Sequence, residues 1–280
     1  PHPSINDNGY VAWSRGDNIV IYNGSTDSVL PNLGAIQCAH PQINANNHVV
    51  WDGWGFPGAG DYAEIVYYDG TNTTRLTYNT TYDGSPEINF ANHVTWIGEY
   101  QENSTDYTGI YLHGASTKRI VQYLGLNSIG YQMLNNRGEV LYGENQNLCL
   151  YDGTGITIIN QGLTPDSGLD VYNFNNAGVA AWVEYDPAFP ITYQVHYLYV
   201  YDGSSVSLIA QSEDNVIGFP AINDHNHICY WIGETIYYAT PITGSLTVTI
   251  EPTEAVTAGA QWRINQRQWQ ESGEVMQDVN

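Results

Sequence analysis

The stretch PEINFANHVTW, residues 86–96, has two close relatives in the same chain: PQINANNHVVW at 41–51 and PSINDNGYVAW at 3–13. Aligned on its first residue, the phrase occurs six times, and successive copies start 38 to 48 residues apart. Repeats with a period in that range are the sequence signature of a solenoid or a β-propeller. The six copies begin at Pro3, Pro41, Pro86, Gln132, Tyr172 and Pro220.

Two positions of the repeat carry most of its structural information. Three residues after each start stands an asparagine, which tolerates left-handed backbone and bonds its own turn, so it predicts a reversal between two strands. Ten residues after each start stands a large aromatic ring, which predicts packing between neighbouring sheets. These residues are Asn6, Asn44, Asn89, Asn135, Asn175 and Asn223, and Trp13, Trp51, Trp96, Tyr142, Trp182 and Tyr230.

Each aromatic residue is followed by two further strand-like segments. The first alternates apolar and aromatic residues and ends in Asn-Gly or Asp-Gly, as in NIVIYNG (18–24) and EIVYYDG (64–70), which is typical of a strand entering a tight hairpin. The second resembles TTRLTYN (73–79). Each unit is therefore predicted to be a four-stranded antiparallel meander. Residues 1–243 are predicted to form an all-β, six-bladed β-propeller.

The order P-x-I-N-x-x-G/H-x-V-x-W, then I-x-x-Y-D-G, then R-L-T resembles the repeats of TolB-type (PD40-like) propellers over roughly residues 1–240. Asparagine stands where that family usually has a Ser-Pro-Asp-Gly turn, so the resemblance is to the superfamily. It implies extracytoplasmic protein binding, with scattered hydrolases and lyases. Fold similarity alone does not choose among these functions.

The pattern stops after ETIYYAT (234–240). Residues 244–280 resemble the start of a PEGA-like extracellular β-module and are expected to form an incomplete β-sandwich-like segment. The sixth unit is then left without a fourth strand. An upstream segment, or SLTVTIE (245–251) from the same chain or from another copy, is a candidate to supply it.

The composition limits the partners. Seven Lys and Arg stand against 29 Asp and Glu, a formal net charge of -22, which disfavours nucleic acid and anionic membranes. No apolar run approaches 18 residues, so no membrane span is expected. A secreted or cell-surface location is expected. Cys38, Cys149 and Cys229 are predicted to be small buried residues, since they lie in or beside apolar stretches.

Insertions in three units give the candidate binding residues. The chain takes 11 residues from the repeat aromatic to the next hairpin glycine in units one and four, but 19, 18 and 21 in units two, three and five. The longer segments are expected on one face of the disc, with aromatic rings beside acids, which suits sugar rings or basic peptides. The candidates are Trp54, Phe56, Asp61, Tyr100, Glu102, Asp106, Tyr107, Tyr185, Asp186 and Tyr193.

Evidence for chemistry is sparse. No GxSxG, HExxH or phosphate-loop motif occurs. No cofactor is expected, although Asp52, Asp61 and Asp106 are candidate Ca²⁺ ligands. Four Asn-x-Ser/Thr sequences, at Asn23, Asn72, Asn79 and Asn103, are candidate glycosylation sites.

Three functions stay open. The first is a non-catalytic extracellular module that binds a protein or glycan. The second is an enzyme that cleaves polysaccharide or peptide with acids of the long-loop face. The third is an assembly subunit that joins its copies through residues 245–251.

Overall fold

The computed structural model describes residues 3–58, 60–125, 129–144, 147–160, 164–165, 172–185, 195–213, 216–240, 245–247, 257, 259 and 275–277. The chain divides into two compact units, Pro1–Tyr238 and Ala239–Asn280. Among the described residues, no helix has the length and apolar character needed to cross a membrane.

The first unit is a six-bladed β-propeller, as predicted. Its blades are six antiparallel sheets whose strands follow one another in chain order. The first three blades comprise β1 (Ser4–Ile5), β2 (Val11–Arg15), β3 (Asn18–Tyr22), β4 (Asp27–Val29), β5 (Gln37–Ile43), β6 (Val49–Trp54), β7 (Ala63–Tyr68), β8 (Thr73–Arg75), β9 (Asp83–Ile88), β10 (Val94–Glu102), β11 (Thr105–His113) and β12 (Thr117–Leu124).

The other three blades repeat the plan with two variations. Their strands are β13 (Ile129–Leu134), β14 (Val140–Glu144), β15 (Asn147–Tyr151), β16 (Ile156–Ile158), β17 (Thr164–Pro165), β18 (Tyr172–Phe174), β19 (Ala180–Tyr185), β20 (His196–Tyr201), β21 (Val206–Ser212), β22 (Ile217–Ile222), β23 (Ile228–Ile232) and β24 (Thr235–Ala239). In the fifth blade β17 and β18 both pair with β19, and the described part of the sixth blade has three strands. The first strands of successive blades contact one another, so they lie nearest the axis.

The repeat asparagine closes the turn between the first and second strands. The Oδ1 atom of Asn44 accepts hydrogen bonds from the backbone N–H groups of Asn46 and His48, both at 3.0 Å. We expected the repeat asparagine to be the left-handed residue of this turn. Instead, the left-handed residue lies three positions later, as Asn47 does with a φ of 63°. Asparagine or glycine stands at that position in every copy, because both tolerate positive φ.

The same asparagines tie each blade to the next. The Nδ2 group of Asn44 donates to the carbonyl oxygen of Asn89 at 2.8 Å, and that of Asn89 donates to the carbonyl oxygen of Asn135 at 3.0 Å. Equivalent bonds join Asn6 to Asn44, Asn135 to Asn175 and Asn175 to Asn223. We call this chain of side chains the asparagine belt. It crosses every boundary from the first blade to the sixth.

The repeat aromatics fill the spaces between blades. Trp51 is fully buried against Ala12, Ile19 and Ile21 of the first blade. Trp96 is buried in the same way against Val50 and Ile65 of the second blade. Tyr142 and Trp182 pack on their preceding blades. The predicted packing role of these rings is therefore confirmed at four interfaces.

The predicted hairpins after the third strands are also formed. The Asp152 carboxylate accepts hydrogen bonds from the backbone N–H groups of Gly155 and Thr154, both at 2.8 Å. Because these bonds favour the ionised form, the pKa of Asp152 is lowered to about 2. Asp69 and Asp202 make the equivalent turns in the second and fifth blades.

The insertion of unit three forms a longer hairpin, in which β10 and β11 pair from Val94–His113 to Glu102–Thr105 across the turn at Asn103 and Ser104. Alternating residues there favour strand pairing.

One expectation for the cysteines is wrong. The sequence predicts all three to be buried, and Cys38 and Cys149 are, but Cys229 is exposed.

In the second unit, the described strands are β25 (Ser245–Thr247) and β26 (Val275–Gln277), which pair antiparallel. Residues 248–251 of the candidate exchange strand lie outside the described residues. The expected PEGA-like module stays a prediction.

The asparagine belt predicts that alanine substitutions at equivalent repeat asparagines lower the free energy of unfolding by different amounts. Asn89→Ala removes the turn acceptor and the bond to the fourth blade, so we expect the free energy of unfolding to fall by about 2–4 kcal/mol. The matched control is Asn223→Ala. Asn223 closes its own turn but makes no onward bond to a described residue, so we expect a loss of about 1 kcal/mol. Urea unfolding measures both. Equal losses would contradict the belt.

Candidate functional site

A cleft opens between the second and third blades. It lies at the end of the propeller where the fourth strand of each blade connects to the first strand of the following blade. Its volume is ≈ 470 Å³, which lies in the range of ligand pockets. The segment from β8 to β9 forms one wall and the β10–β11 hairpin the other. The cleft is lined by Leu76, Thr77, Tyr78, Asn79, Thr80, Thr81, Asp83, Trp96, Glu99, Tyr100, Gln101, Tyr111 and Thr117.

A buried carboxyl group lies at the base of the cleft. Asp83 accepts hydrogen bonds from the indole Nε1 of Trp96 at 2.9 Å and from the Nδ2 group of Asn79 at 2.6 Å. Burial raises the pKa of Asp83 to about 7, although both hydrogen bonds favour the ionised form. The group therefore titrates near neutral pH.

Tyrosine rings and a second acid form the rim. Tyr100 and Tyr107 stack across the hairpin with ring centroids 5.1 Å apart. Tyr78 on the opposite wall is 74% exposed. Burial raises the pKa of Glu99, and the negative charge of Asp106 adds to the effect. Among the described residues, the Tyr100 hydroxyl is a buried polar group that makes no hydrogen bond.

An ion pair behind the first wall fixes its position. The guanidinium of Arg75 lies 2.7 Å from the fully buried carboxylate of Glu64, which also accepts from the backbone N–H of Asn79 at 3.0 Å. The same guanidinium lies 4.4 Å from the centre of the Phe56 ring and 4.7 Å from that of Tyr78. Cation–π contact and charge pairing thus hold Tyr78 beside the cleft.

The structure brings together only part of the predicted binding set. Tyr100 lines the cleft, and Tyr107 stacks on it. Glu102 and Asp106 are exposed near the tip of the same hairpin. Their role in binding stays a prediction.

The second-unit candidates, Trp54, Phe56 and Asp61, do not line the cleft. The Trp54 ring contacts that of Tyr82 at 5.7 Å, and Asp61 is exposed. Phe56, expected to be exposed, is 3% exposed, because its ring fills the core between the first and second blades. Tyr185 ends β19, and Asp186 and Tyr193 lie outside the described residues.

The candidate Ca²⁺ ligands do not form a cluster. Asp52 is fully buried and accepts a hydrogen bond from the Nδ1 atom of His40 at 2.9 Å, which raises the pKa of His40. In the part of the chain that the structure describes, no group of three or more His, Cys, Asp or Glu side chains is arranged to hold a metal ion. Calcium binding stays a prediction.

The inner strands carry a second polar arrangement. The Ser4 hydroxyl donates to Gln42 at 3.1 Å, and Gln42 donates to Glu87 at 3.3 Å, so three neighbouring blades are linked near the axis. Burial raises the pKa of Glu87 to about 7. A single carboxyl group in this row lacks the converging charges of an ion site.

Comparison with known proteins shows the fold alone. No protein-family model matches the chain, and no curated protein matches it. It is similar to the β-propeller domain of the Trilobed protease from Pyrococcus furiosus, described as having an open velcro topology. The TM-score is 0.57 and the identity 12%, over 87% of this chain and 84% of that one.

Pyrococcus horikoshii acylaminoacyl peptidase gives a TM-score of 0.56 at 10% identity, over 85% of this chain. The match covers 44% of the peptidase, so this chain spans less than half of its length. A putative TolB from Agrobacterium tumefaciens gives a TM-score of 0.44 at 12% identity, over 75% of this chain and 79% of that one. The first two comparisons show that the chain has the β-propeller fold.

Sequence reasoning missed the base of the cleft. Asp83 lies three residues before the start of the third repeat. The same position before the second, fourth, fifth and sixth repeats is apolar, as Cys38, Ile129, Leu169 and Ile217. A carboxyl group at an otherwise apolar position was therefore visible in the repeat alignment. Its sequence context, Tyr-Asp-Gly, imitates the hairpin motif and concealed it.

The raised pKa of Asp83 predicts a pH-dependent stability. Burial lifts the pKa from 3.8 to about 7. Between these pH values the folded protein binds a proton that the unfolded chain has released, so the free energy of unfolding falls as pH rises. Asp83→Asn should remove at most about 4 kcal/mol of this pH dependence. Urea unfolding at pH 4 to pH 8 tests it. A slope equal to wild type would show that Asp83 ionises normally.

Proposed function

We propose that the propeller is a non-catalytic, extracellular binding module that takes a neutral glycan in the cleft between its second and third blades. The observation that carries the proposal is the composition of this cleft, where the exposed ring of Tyr78 and the partly buried rings of Tyr100 and Tyr111 lie beside amide, hydroxyl and carboxyl groups. Sugar rings need both an apolar surface for their C–H faces and polar partners for their hydroxyls.

The placement of the arginines favours a glycan over a basic peptide. Arg119 lies 4.2 Å from the centre of the Tyr100 ring, and Arg75 lies 4.7 Å from that of Tyr78. The rim tyrosines therefore already have cations on their faces, and a cationic side chain would be repelled there. The net charge of -22 likewise disfavours acidic glycans.

An extracellular location is supported by the acidic composition, by the resemblance of the repeats to TolB-type propellers and by the PEGA-like resemblance of residues 244–280. These features also keep an extracellular protein partner as the alternative ligand.

Binding should depend on Tyr78, whose ring is exposed and therefore contributes little to folding. We expect Tyr78→Ala to weaken glycan binding roughly tenfold, the loss of one stacking contact of about 1.4 kcal/mol. Tyr62→Ala is the matched control, since this ring is 47% exposed and does not line the cleft.

Isothermal titration with cello-, manno-, xylo- and chito-oligosaccharides is the measurement. A panel that gives no binding, or equal affinity for the two variants, would refute the glycan proposal. Unchanged melting temperatures exclude a loss through unfolding.

One observation favours catalysis as the second candidate. The cleft holds two carboxyl groups, and burial raises the pKa of one of them, Asp83, to about 7, as a general acid requires. If the cleft cleaves glycans, the same panel should release reducing ends, and Asp83→Asn or Glu99→Gln should abolish release while binding persists. Binding without turnover in the wild-type protein supports the non-catalytic module.

The third hypothesis, assembly through residues 245–251, stays a prediction. Among the described residues of the second unit, Ser245–Thr247 pairs with Val275–Gln277, and strand addition is the mode of association that the hypothesis requires.

A further inference from the structure

Four blades close the hairpin between their third and fourth strands with the same turn. The side-chain oxygen of its first residue accepts hydrogen bonds from the backbone N–H groups two and three residues later. A glycine follows this residue, with a φ between 90° and 96°. Three of the four first residues are acids and one is an amide. They are Asn23, Asp69, Asp152 and Asp202.

This turn favours a carboxylate at its first position. The backbone N–H groups of Asn72 and Thr71 lower the pKa of Asp69, as the equivalent groups lower that of Asp152. A hydrogen bond to an ionised acceptor is stronger than one to a neutral acceptor. In the first blade, Asn23 therefore places a neutral amide where a carboxylate would be held more strongly.

The chain contains two Asn-Gly pairs, Asn8-Gly9 and Asn23-Gly24. In such a pair the backbone nitrogen of glycine can attack the amide carbon of the asparagine, because glycine has no side chain to obstruct the approach. A β carbon placed on Gly24 would have no atom within 4 Å, and both residues of this pair are exposed to water. The second pair thus has the composition and the space that this reaction requires.

The hydrogen bonds of the first turn favour attack at Asn23. The backbone N–H groups of Ser25 and Thr26 lie 3.0 Å and 2.9 Å from its Oδ1 atom. Attack at Cγ places negative charge on this oxygen, so the two N–H groups stabilise it as an oxyanion hole does. Within residues 3–58, neither the Nδ2 group of Asn23 nor the N–H of Gly24 donates a hydrogen bond. The departure of Nδ2 therefore breaks no contact there.

The other Asn-Gly pair is held by its neighbours. The Nδ2 group of Asn8 donates to the carbonyl oxygen of Ala45 at 2.6 Å, and the N–H of Gly9 donates to that of Asn6 at 3.0 Å. Both bonds must break before Gly9 can attack and Nδ2 can leave. Asn8 is therefore an internal control with the same dipeptide sequence.

We propose that Asn23 is a site of spontaneous modification, at which the side-chain amide is converted into a carboxylate. The Gly24 nitrogen gives its proton to solvent and bonds to Cγ, while Nδ2 takes up a proton and leaves as ammonia, which gives a cyclic imide. Water then adds to the same Cγ, the bond to Gly24 breaks, and the nitrogen regains a proton. One water is consumed and one ammonia is released. The aspartate product fits a turn that three other blades build with aspartate.

Incubation of the folded full chain at neutral pH, followed by peptide mass spectrometry, tests the proposal. The protein is produced without N-glycosylation, because a glycan on Nδ2 would block the reaction. We expect the Asn23 peptide to gain about one dalton roughly tenfold faster than the Asn8 peptide, since only Asn23 has the two N–H groups on its oxygen. In urea the two rates should become similar. Equal rates in the folded chain, or slower reaction of Asn23 when folded than in urea, would overturn the proposal.

Asp202→Asn tests whether the turn causes the reactivity. It converts Tyr-Asp-Gly-Ser-Ser of the fifth blade into a close match of Tyr-Asn-Gly-Ser-Thr in the first. The N–H groups of Ser204 and Ser205 lie 2.8 Å from the carboxylate oxygen, so the same oxyanion contacts await the new amide. Position 202 should then gain about one dalton as fast as Asn23 does. An unreactive position 202 in a variant with an unchanged melting temperature would overturn the role of the turn.

Asn23→Asp is the standard for the product. It should show no mass change on incubation and should melt no lower than wild type, because its carboxylate accepts the same two N–H groups. Incubated wild-type protein should elute with this variant on anion exchange. An isoaspartate assay separates the two routes of imide hydrolysis. Aspartate as the main product supports attack of water at Cγ, and isoaspartate as the main product would contradict it.

Discussion

A single amide side chain, repeated once per blade, governs how this propeller is assembled. The oxygen of the repeat asparagine closes the turn of its own blade, and its nitrogen holds the turn of the next. Both groups are buried at Asn44, Asn89, Asn135 and Asn175. A buried polar group without its partner costs more than the hydrogen bond contributes, so the belt specifies one spacing between blades. Aspartate or serine would satisfy the turn but could not donate the same amide bond onward.

The belt and the aromatic rings together leave the outer loops free to vary. The repeat positions are filled in the same way in successive blades, whereas buried acids stand in several blades, as Asp52, Glu64, Asp83, Glu139 and Glu184, two of them beside the boundary between the second and third blades. Glu64 and Asp83 are buried there, one paired with Arg75 and the other bonded by Trp96 and Asn79. Buried acids reduce stability unless they are paired or neutralised. Two buried acids beside a tyrosine-lined cleft are therefore consistent with a binding role. A boundary that only holds two blades together would not require them.

The sequence was most informative where the repeat is regular. The asparagines, the aromatics and the Asp-Gly hairpins were assigned from spacing, because each has a local physical reason to stand where it does. Irregular positions were harder. Phe56 lies in a Gly-rich segment that looks like a solvent-exposed loop, yet its ring turns inward against the first blade. The extra residues around Tyr100 extend two strands, since alternation continues through them.

The cysteines show another limit of sequence reasoning. Cys229 fits the repeat as well as its counterparts do, so nothing in the pattern distinguishes an exposed side chain from a buried one. Burial depends on what lies opposite, and a repeat alignment does not contain that information. For the same reason, Asp83 could be recognised as unusual from its position, but its contacts with Trp96 and Asn79 required coordinates.

The most direct test of the belt is hydrogen exchange of the asparagine side-chain amides, followed by NMR on the full chain. The account predicts slow exchange for the Nδ2 protons of Asn44, Asn89, Asn135 and Asn175, which are buried and bonded to the next blade. Asn223 should exchange rapidly, because its amide is exposed. Rapid exchange at all of these positions would contradict the claim that the asparagines hold the blades together.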